Sequence, residues 1–480
     1  MGASMSSIPP VENRPSQAPE NRIPCPHCKA PILEGAKKCR SCKKWLQAPK
    51  TAPAQTGLPR AALIVTMTVA TVMAVIVSSG ESPVGEAPPL TVLTPPADGS
   101  ALPAPGPAAI GPEAEPEPAP VPADPERRFR LRDIEIEGAH PLDIVFHPKG
   151  TSIYVSTDDG MLREYSLKNG DLLHRASVPA QGDHLRVLFD RYVAILRHED
   201  AARIPVMDTQ HWERDPVLLD VGEAPRDIVE LPDGKSVIAA STGENRITRF
   251  ELPSGTRVSN ITLPHATGQL FLLQAENRTY VGAMGRLMHG GRPAGAWVDL
   301  FDPSEEPFGA TRRSISAGRE PRLGMATSDG SALFFPDGAS NTATLLRVSG
   351  TTEVKQATVD QGPEAAFVLG GDRWGITLNS TARTATVVDL LTMNIQGTLM
   401  LGGVPRTGTV SPDGKMLLVI LGGKGWPPSG SGVVVIAGNP PKMISTLATG
   451  KGAISVAVSK DGVRAAVAAY YDKIVSILEQ

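Results

Sequence analysis

The stretch that decides the fold is APRDIVELPDGKSVIAAS (residues 224–241), in which a tight Pro-Asp-Gly turn separates two short apolar runs. The run before the turn and the more apolar run after it are typical of two antiparallel strands. Two further strands, RITRFEL and RVSNITL, follow after polar turns. The sequence here therefore predicts a four-stranded antiparallel sheet.

The same pattern recurs with a period of about 42 residues, the length typical of a propeller blade. Clear copies begin at VPRTGTVSPDGKMLLVIL (404–421) and EPRLGMATSDGSALFFPD (320–337). Weaker copies begin near residues 140, 184, 362 and 452, and another begins near Gly268 and carries an insertion around MHGGRPAGAW (288–297). Because a single sheet of this kind cannot bury both faces, the units must stack around an axis. We predict a mostly β fold with an eight-bladed β-propeller over residues 127–480.

The two ends of the repeat region complement each other. The last unit has three strands (ISVAVS, RAAVAAY and IVSILE), and RFRLRDIEIEG (128–138) has the pattern of an isolated fourth strand. If the N-terminal strand pairs with the last unit, the ring closes and both exposed edges disappear. A seven-bladed ring is the alternative, if the degenerate unit at 183–222 is not a true blade.

All four cysteines of the chain lie in one short segment, CPHCKAPILEGAKKCRSCKKWL (25–46). Cys25 and Cys28 form one C-x2-C pair, and Cys39 and Cys42 form a second. Two such pairs complete a tetrahedral thiolate site for Zn²⁺. So short a segment cannot bury a core of its own, and metal binding would supply most of its folding energy. We expect one structural zinc ion here, after a disordered N-terminus (1–24).

An uncharged run of 17 residues, AALIVTMTVATVMAVIV (61–77), is just long enough to cross a bilayer. We predict a transmembrane helix at 61–79, between a basic juxtamembrane segment (47–60) and an acidic, proline-rich linker (80–126). Residues 78–126 contain no Lys or Arg, which favours a cytoplasmic N-terminus. The expected location is therefore the bacterial inner membrane, with a single span and the propeller in the periplasm.

Three further observations bear on the anchor and the linker. A cleaved signal peptide is the alternative to the anchor, although sixty residues precede the apolar run. Small residues at four-residue steps (Ala62, Thr66, Ala70, Ala74) lie on one helix face and allow a homodimer through this helix. Fourteen prolines in residues 81–125 favour an extended spacer.

Two parts of the chain resemble known families. The cysteine segment resembles the short zinc ribbons at the ends of many bacterial membrane proteins, with Ile32, Ala36, Trp45 and Leu46 at matching positions. The SPDGK and YVS-like elements of the repeats resemble YVTN-type (surface-layer-like) propeller repeats. The first resemblance implies a closed structural metal site without catalysis. The second implies an extracytoplasmic propeller that binds a partner or serves as a scaffold.

No motif of nucleophilic, metal-hydrolytic or phosphate-binding chemistry occurs in the chain. Aligning the repeats instead places Arg186, Arg226, Arg322 and Arg406 at one shared position, near the start of the innermost strand. Guanidinium groups converging at the channel mouth would bind an anionic group. The alternative is that each arginine pairs with an acidic residue of a neighbouring blade, such as Asp227, Glu320 or Glu364.

The sequence as a whole favours a binding protein over an enzyme. We expect an envelope protein or a glycan as the propeller's ligand, and a cytoplasmic protein as a partner of the zinc ribbon. The net charge of −3, without a large basic segment, argues against nucleic acid as a partner. A lactonase- or lyase-like enzyme with its site in the central channel is one rival interpretation, and a transmembrane ligand sensor is another.

Overall fold

The computed structural model describes residues 22–24, 31–33, 129–179, 182–197, 201–275, 277–289, 292–348, 352–423, 425–426 and 428–479. Every regular element in these ranges is a β-strand. The chain divides into two compact units, Met1–Gly111 and Pro112–Gln480.

The described residues of the first unit, 22–24 and 31–33, form an antiparallel strand pair. Strand β1 (Arg22–Pro24) pairs with β2 (Pro31–Leu33), with Pro24 opposite Pro31. β1 thus occupies the last three residues of the segment that we expected to be disordered. The four cysteines, the apolar run at 61–79 and the linker at 80–126 all lie outside the described residues.

The second unit is an eight-bladed β-propeller, as the repeats predict. Eight four-stranded antiparallel sheets follow one another, and the weak unit at 183–222 is a true blade, so the seven-bladed alternative is wrong. We number the blades in chain order.

The strands of blades 1 to 4 are β4 (Pro141–Phe146), β5 (Ser152–Thr157), β6 (Met161–Ser166), β7 (Leu172–Ser177), β8 (His184–Leu188), β9 (Tyr192–Leu196), β10 (Arg203–Asp208), β11 (Val217–Asp220), β12 (Pro225–Glu230), β13 (Ser236–Ser241), β14 (Arg246–Glu251), β15 (Thr256–Thr262), β16 (Ala266–Ala275), β17 (Arg278–His289), β18 (Arg292–Phe301) and β19 (Arg313–Ser316). The strands of blades 5 to 8 are β20 (Met325–Ala326), β21 (Ala332–Asp337), β22 (Thr342–Arg347), β23 (Glu353–Thr358), β24 (Pro363–Leu369), β25 (Trp374–Asn379), β26 (Thr384–Asp389), β27 (Asn394–Met400), β28 (Thr407–Val410), β29 (Met416–Ile420), β30 (Val433–Ala437), β31 (Lys442–Leu447), β32 (Ala453–Val458), β33 (Arg464–Ala469), β34 (Ile474–Glu479) and the N-terminal β3 (Arg130–Glu135).

Blade 8 closes the ring in the predicted way. β3 pairs antiparallel with β34, with Arg130 opposite Glu479 and Glu135 opposite Ile474. The sheet order is β3-β34-β33-β32, so the N-terminal strand is the outermost strand of the last blade. The innermost strands of neighbouring blades contact one another all the way round, including β32 against β4. The first and last strands of the propeller therefore belong to one sheet.

The hydrophobic core consists of eight clusters, each lying between two adjacent blades. Ile144 and Val155 of blade 1, for example, pack with Val475 and Ile477 of blade 8. The second strand of a blade is covered on both faces, and β13, β21 and β25 are buried along their whole length. This explains why the run after each tight turn is more apolar than the run before it.

Blade 4 differs from the other blades because three of its strands, β16, β17 and β18, are longer, with 10 to 12 residues each. The insertion expected around 288–297 continues β17 and β18, whose pairing extends to His289 opposite Arg292. The predicted insertion is therefore a prolonged hairpin.

The propeller has two distinct faces. On one face, which we call the mouth face, innermost strands begin and second strands end, as the pairing of Pro225 with Ser241 shows. The tight turns, such as that around Asp233, lie on the opposite face. β3 begins on the opposite face, because Arg130 and Arg464 both pair with Glu479.

Candidate functional site

A cavity of about 560 Å³ lies at the mouth face, where the innermost strands of several blades begin. Four arginines line it, contributed by four successive blades: Arg186 (blade 2), Arg226 (blade 3), Arg286 (blade 4) and Arg322 (blade 5). We call it the arginine cavity. Three of these four side chains are among those that the repeat alignment predicted.

Arg186 is paired with an acidic residue of the next blade. Its Nε lies 3.4 Å from Oδ1 of the buried Asp227, and one terminal nitrogen lies 3.5 Å from the same oxygen. The other carboxylate oxygen of Asp227 accepts a hydrogen bond from the backbone N–H of Leu270 at 3.0 Å. These long contacts leave much of the guanidinium facing the cavity, with the side chain 41% exposed.

Arg322 contacts two carboxylates but keeps one unsatisfied donor. A terminal nitrogen donates to Glu320 at 2.8 Å. Its Nε lies 3.5 Å from Oε2 of Glu364 in blade 6, yet this buried atom makes no hydrogen bond within the described part of the chain. The Arg322 side chain is 35% exposed, so the accessible part of its guanidinium can bind an anionic ligand in the cavity.

Arg286 is the residue that the sequence did not reveal. It lies on β17, the second strand of blade 4, and its guanidinium is 3.7 Å from Glu320. The repeat alignment places Gln269 at the arginine position of this blade. The carboxamide of Gln269 instead accepts from the N–H of Gly324 and donates to its carbonyl, at 3.0 and 2.9 Å. Arg286 pairs with Ala266, the first residue of β16, and this pairing places it at the mouth.

Arg406, the fourth predicted arginine, lines a different cavity. This second space of about 900 Å³ follows the central channel, from Trp426 near the mouth face to Lys460 near the opposite face. The two cavities adjoin, because Arg186, Gln269 and Thr407 line both. Of the predicted arginines, Arg226 and Arg322 therefore line the arginine cavity, Arg406 lines its neighbour, and Arg186 lines both.

The arrangement of charge favours anion binding over acid–base chemistry. The lining of the arginine cavity includes four arginines and two carboxylates, Asp227 and Glu364. His184 also lines it, with Nδ1 at 3.3 Å from Asp143. Within the described ranges, no three His, Cys, Asp or Glu side chains are grouped as a metal site would require.

The predictions for the N-terminal part concern residues that lie outside the described ranges. Cys25, Cys28, Cys39 and Cys42 are among them, although β1 and β2 flank the first cysteine pair. The described residues contain no helix with the length and apolar character needed to cross a membrane.

Comparison with known proteins shows similarity of fold alone. No protein-family model matches the chain, and no curated protein matches it. Among solved structures, the C-terminal WD40 domain of Sif2 matches with a TM-score of 0.56 and 13% identity, covering 73% of this chain and 98% of that one. Hydrazine synthase of Kuenenia stuttgartiensis matches with a TM-score of 0.48 and 15% identity, covering 72% of this chain and 97% of that one.

Proposed function

We propose that this protein is a membrane-anchored, extracytoplasmic β-propeller that binds an anionic group of an envelope protein or glycan in the arginine cavity. The observation that carries the proposal is the convergence of Arg186, Arg226, Arg286 and Arg322 from four successive blades on one cavity. A propeller is a fold suited to such a binding scaffold, since it brings side chains from many repeats to one mouth.

The charges around the cavity support binding rather than a purely structural network. The Arg186–Asp227, Arg286–Glu320 and Arg322–Glu364 pairs are separated by 3.4 to 3.7 Å, longer than strong charged hydrogen bonds. A carboxylate or phosphate entering the cavity would offer shorter contacts to the same guanidiniums.

Strand β3 begins on the face opposite the arginine cavity, since Arg130 pairs with Glu479. The first strand of the propeller therefore does not cover the mouth.

The remaining elements of the proposal rest on the sequence. The four cysteines would hold one structural Zn²⁺ on the cytoplasmic side, and the strand pair around residues 25–30 is consistent with the hairpin of a zinc knuckle. The run at 61–79 would be the single span, and the propeller would belong to the YVTN type.

Binding of a simple polyanion tests the function. We expect the full-length chain, purified in a mild detergent, to bind poly-glutamate in a salt-sensitive manner. Arg226→Ala and Arg322→Ala should each weaken binding roughly fivefold, equivalent to about 1 kcal/mol for a half-exposed charged contact. Calorimetric titration at two salt concentrations measures this.

Arg257→Ala is the matched control, because this arginine lies on the outermost strand of blade 3 and pairs with the exposed Asp220. It should leave the affinity unchanged. If wild type and all three variants bind equally, or none binds, the proposed site is wrong.

Thiol labelling tests the topology. All native cysteines lie in the N-terminal segment, and Lys168→Cys adds one in an exposed turn of the propeller. A membrane-impermeant maleimide applied to intact spheroplasts should label only the added cysteine. Labelling that appears only after lysis would contradict a periplasmic propeller.

A further inference from the structure

A group of aromatic rings occupies the mouth face on the side of blades 7, 8 and 1. Trp426 lies 6.0 Å from Tyr470, which stacks on His140 at 4.4 Å and meets Tyr471 edge-on at 5.5 Å. Trp426 is 57% exposed and Tyr471 is 42% exposed. We call these four rings the aromatic arc. Only 4% of the chain is aromatic, so the grouping of exposed rings at one place is unusual for this protein.

The backbone holds the arc at the edge of the channel. Trp426 belongs to the segment between β29 and β30, where the N–H of Gly430 bonds the carbonyl of Gly422. The N–H of Gly452, just before the innermost strand of blade 8, bonds the carbonyl of Gly430. These contacts fix the segment against blade 8, and Trp426 lines the channel cavity.

Arg406 provides a cation beside the arc. Its guanidinium lies 5.8 Å from the Trp426 ring centre, and one terminal nitrogen donates to the carbonyl of Gly425 at 3.0 Å. No ion pair to Arg406 occurs within the described ranges, whereas Arg186 and Arg322 each have acidic partners. Burial lowers the pKa of Arg406, as expected for a cation without a neighbouring carboxylate.

The aromatic arc and the arginine cavity belong to one opening. The channel cavity, which Trp426 and Arg406 line, adjoins the arginine cavity at Arg186 and Thr407. A ligand at this mouth therefore meets exposed rings on one side and guanidiniums on the other. A ligand that fits both sides needs flat, weakly polar faces and negative charge in the same molecule.

We propose that the mouth binds an acidic saccharide, with a pyranose ring stacked on Trp426 and its carboxylate on Arg406. This inference rests on the proposed binding function and names the class of its ligand. The C–H groups on one face of a pyranose carry partial positive charge and pack on the negative face of an aromatic ring. The carboxylate supplies the partner that Arg406 lacks and forms a charge-assisted hydrogen bond.

Single-stranded nucleic acid also combines rings with anions, but this chain fits it less well. Binding of that kind needs a basic groove that follows a continuous phosphate backbone. The chain has a net charge of −3, and carboxylates accompany the arginines of the adjoining cavity. An acidic saccharide, whose carboxylates are spaced apart, matches this mixture of arginines and carboxylates better than a nucleic acid with a phosphate at every unit.

The test uses the full-length chain in detergent with tetragalacturonate as the acidic probe and maltotetraose as the neutral one. Oligosaccharides containing glucuronate and mannuronate complete the acidic panel. Trp426 is the exposed tryptophan among the described ones, so binding should also change the intrinsic fluorescence. We expect at least one acidic saccharide to bind and maltotetraose to bind roughly tenfold more weakly.

Two variants separate the stacking contact from the charged contact. Trp426→Ala should weaken acidic and neutral saccharides alike, by roughly tenfold. Arg406→Gln should weaken only the acidic ones, so that the preference for acid disappears. Met400→Ala, which truncates an exposed side chain on the outermost strand of blade 6, is the matched control.

The outcomes distinguish this inference from the function on which it rests. If poly-glutamate binding depends on Arg226 and Arg322 but no acidic saccharide binds, the proposed function stands and the saccharide inference is wrong. The inference is equally wrong if saccharide binding is indifferent to both variants, or if oligo-dT binds and saccharides do not. Circular dichroism of each variant confirms that the propeller is folded.

Discussion

Buried carboxylates connect neighbouring blades around the channel. An oxygen of Asp143 in blade 1 accepts from the N–H of Leu185 in blade 2 at 2.7 Å, and Asp227 makes the same contact to Leu270 across blades 3 and 4. The carboxamide of Gln269 bonds Gly324 in the next blade. These side chains satisfy backbone groups of the next blade at the innermost strands, where an unpaired polar group would be costly.

One ion pair gives the propeller a testable pH dependence. Arg163 donates to both carboxylate oxygens of Asp159, at 2.9 and 2.6 Å, and this contact lowers the pKa of Asp159 to about 2. A depressed pKa means that the contact stabilises the fold above the unfolded-state pKa, near 4, and is lost as the pH falls towards 2.

We therefore expect Asp159→Asn to lower the melting temperature at pH 6 and to have progressively less effect between pH 4 and about pH 2. Thermal unfolding of wild type and variant across this range measures the difference. In an Arg163→Gln background, which removes the cause of the shift, the effect of Asp159→Asn should hardly vary with pH. A difference that stays constant in both backgrounds would contradict the assignment.

The candidate site was partly predictable from the sequence, and the reason is geometric. Arg226 and Arg322 meet in one cavity because each follows a proline that pairs with the end of the second strand, which places both at one height at the mouth. Arg186 reaches the same cavity from a position farther along its strand. The sequence did not reveal Arg286 because it lies on a second strand, whereas the shared arginine position lies at the start of the innermost strands. Trp426 was missed because it belongs to no repeat position.

Among the elements, the innermost and second strands were the most predictable. They carry the apolar runs and the tight turns, and all eight predicted starts coincide with pairs of this kind. The outermost strands have weaker patterns because solvent reaches them, as in β7 and β15. The sequence predicts an insertion around 288–297, where Gly and Pro are frequent, whereas in the structure cross-strand pairing prevails over that local composition and continues β17 and β18.

Strand β3 allows the contribution of one element to be measured with an internal control. Ile134 is 2% exposed and packs with Val475 and Ile477, whereas Leu131 on the same strand is 44% exposed. Ile134→Ala should destabilise the propeller by about 2–5 kcal/mol, the usual cost of a cavity in a packed core. Leu131→Ala should change stability by less than about 0.5 kcal/mol.

Urea unfolding followed by tryptophan fluorescence measures both variants. Equal effects at the two positions would mean that β3 is held by its backbone pairing alone and that its buried face contributes little.

At the scale of the whole molecule, the ring is closed by a strand that lies more than 300 residues away from its partner in sequence, since Ile134 pairs with Val475. Each blade buries its faces against two neighbours, so the stability of every blade depends on the interblade clusters on both of its sides. Without β3, blade 8 would lose its outermost strand and β34 would become an exposed edge. Such an edge favours pairing with other chains.

Closure in trans tests this dependence directly. A chain of residues 139–480, lacking β3, should melt at a lower temperature than 127–480 and should self-associate. A peptide of residues 127–138 should raise the melting temperature of the shortened chain, because it binds the folded state only. Once the site is saturated, the rise should be proportional to the logarithm of the peptide concentration.

The same peptide with Ile134→Asp should have no effect, since it would bury an unpaired charge among Val475, Ile477 and Ala466. A shortened chain as stable as the longer one, or an equal response to both peptides, would show that closure does not depend on β3. If the intact peptide alone restores stability, the closure of the ring depends on the buried face of β3 as well as on its backbone pairing.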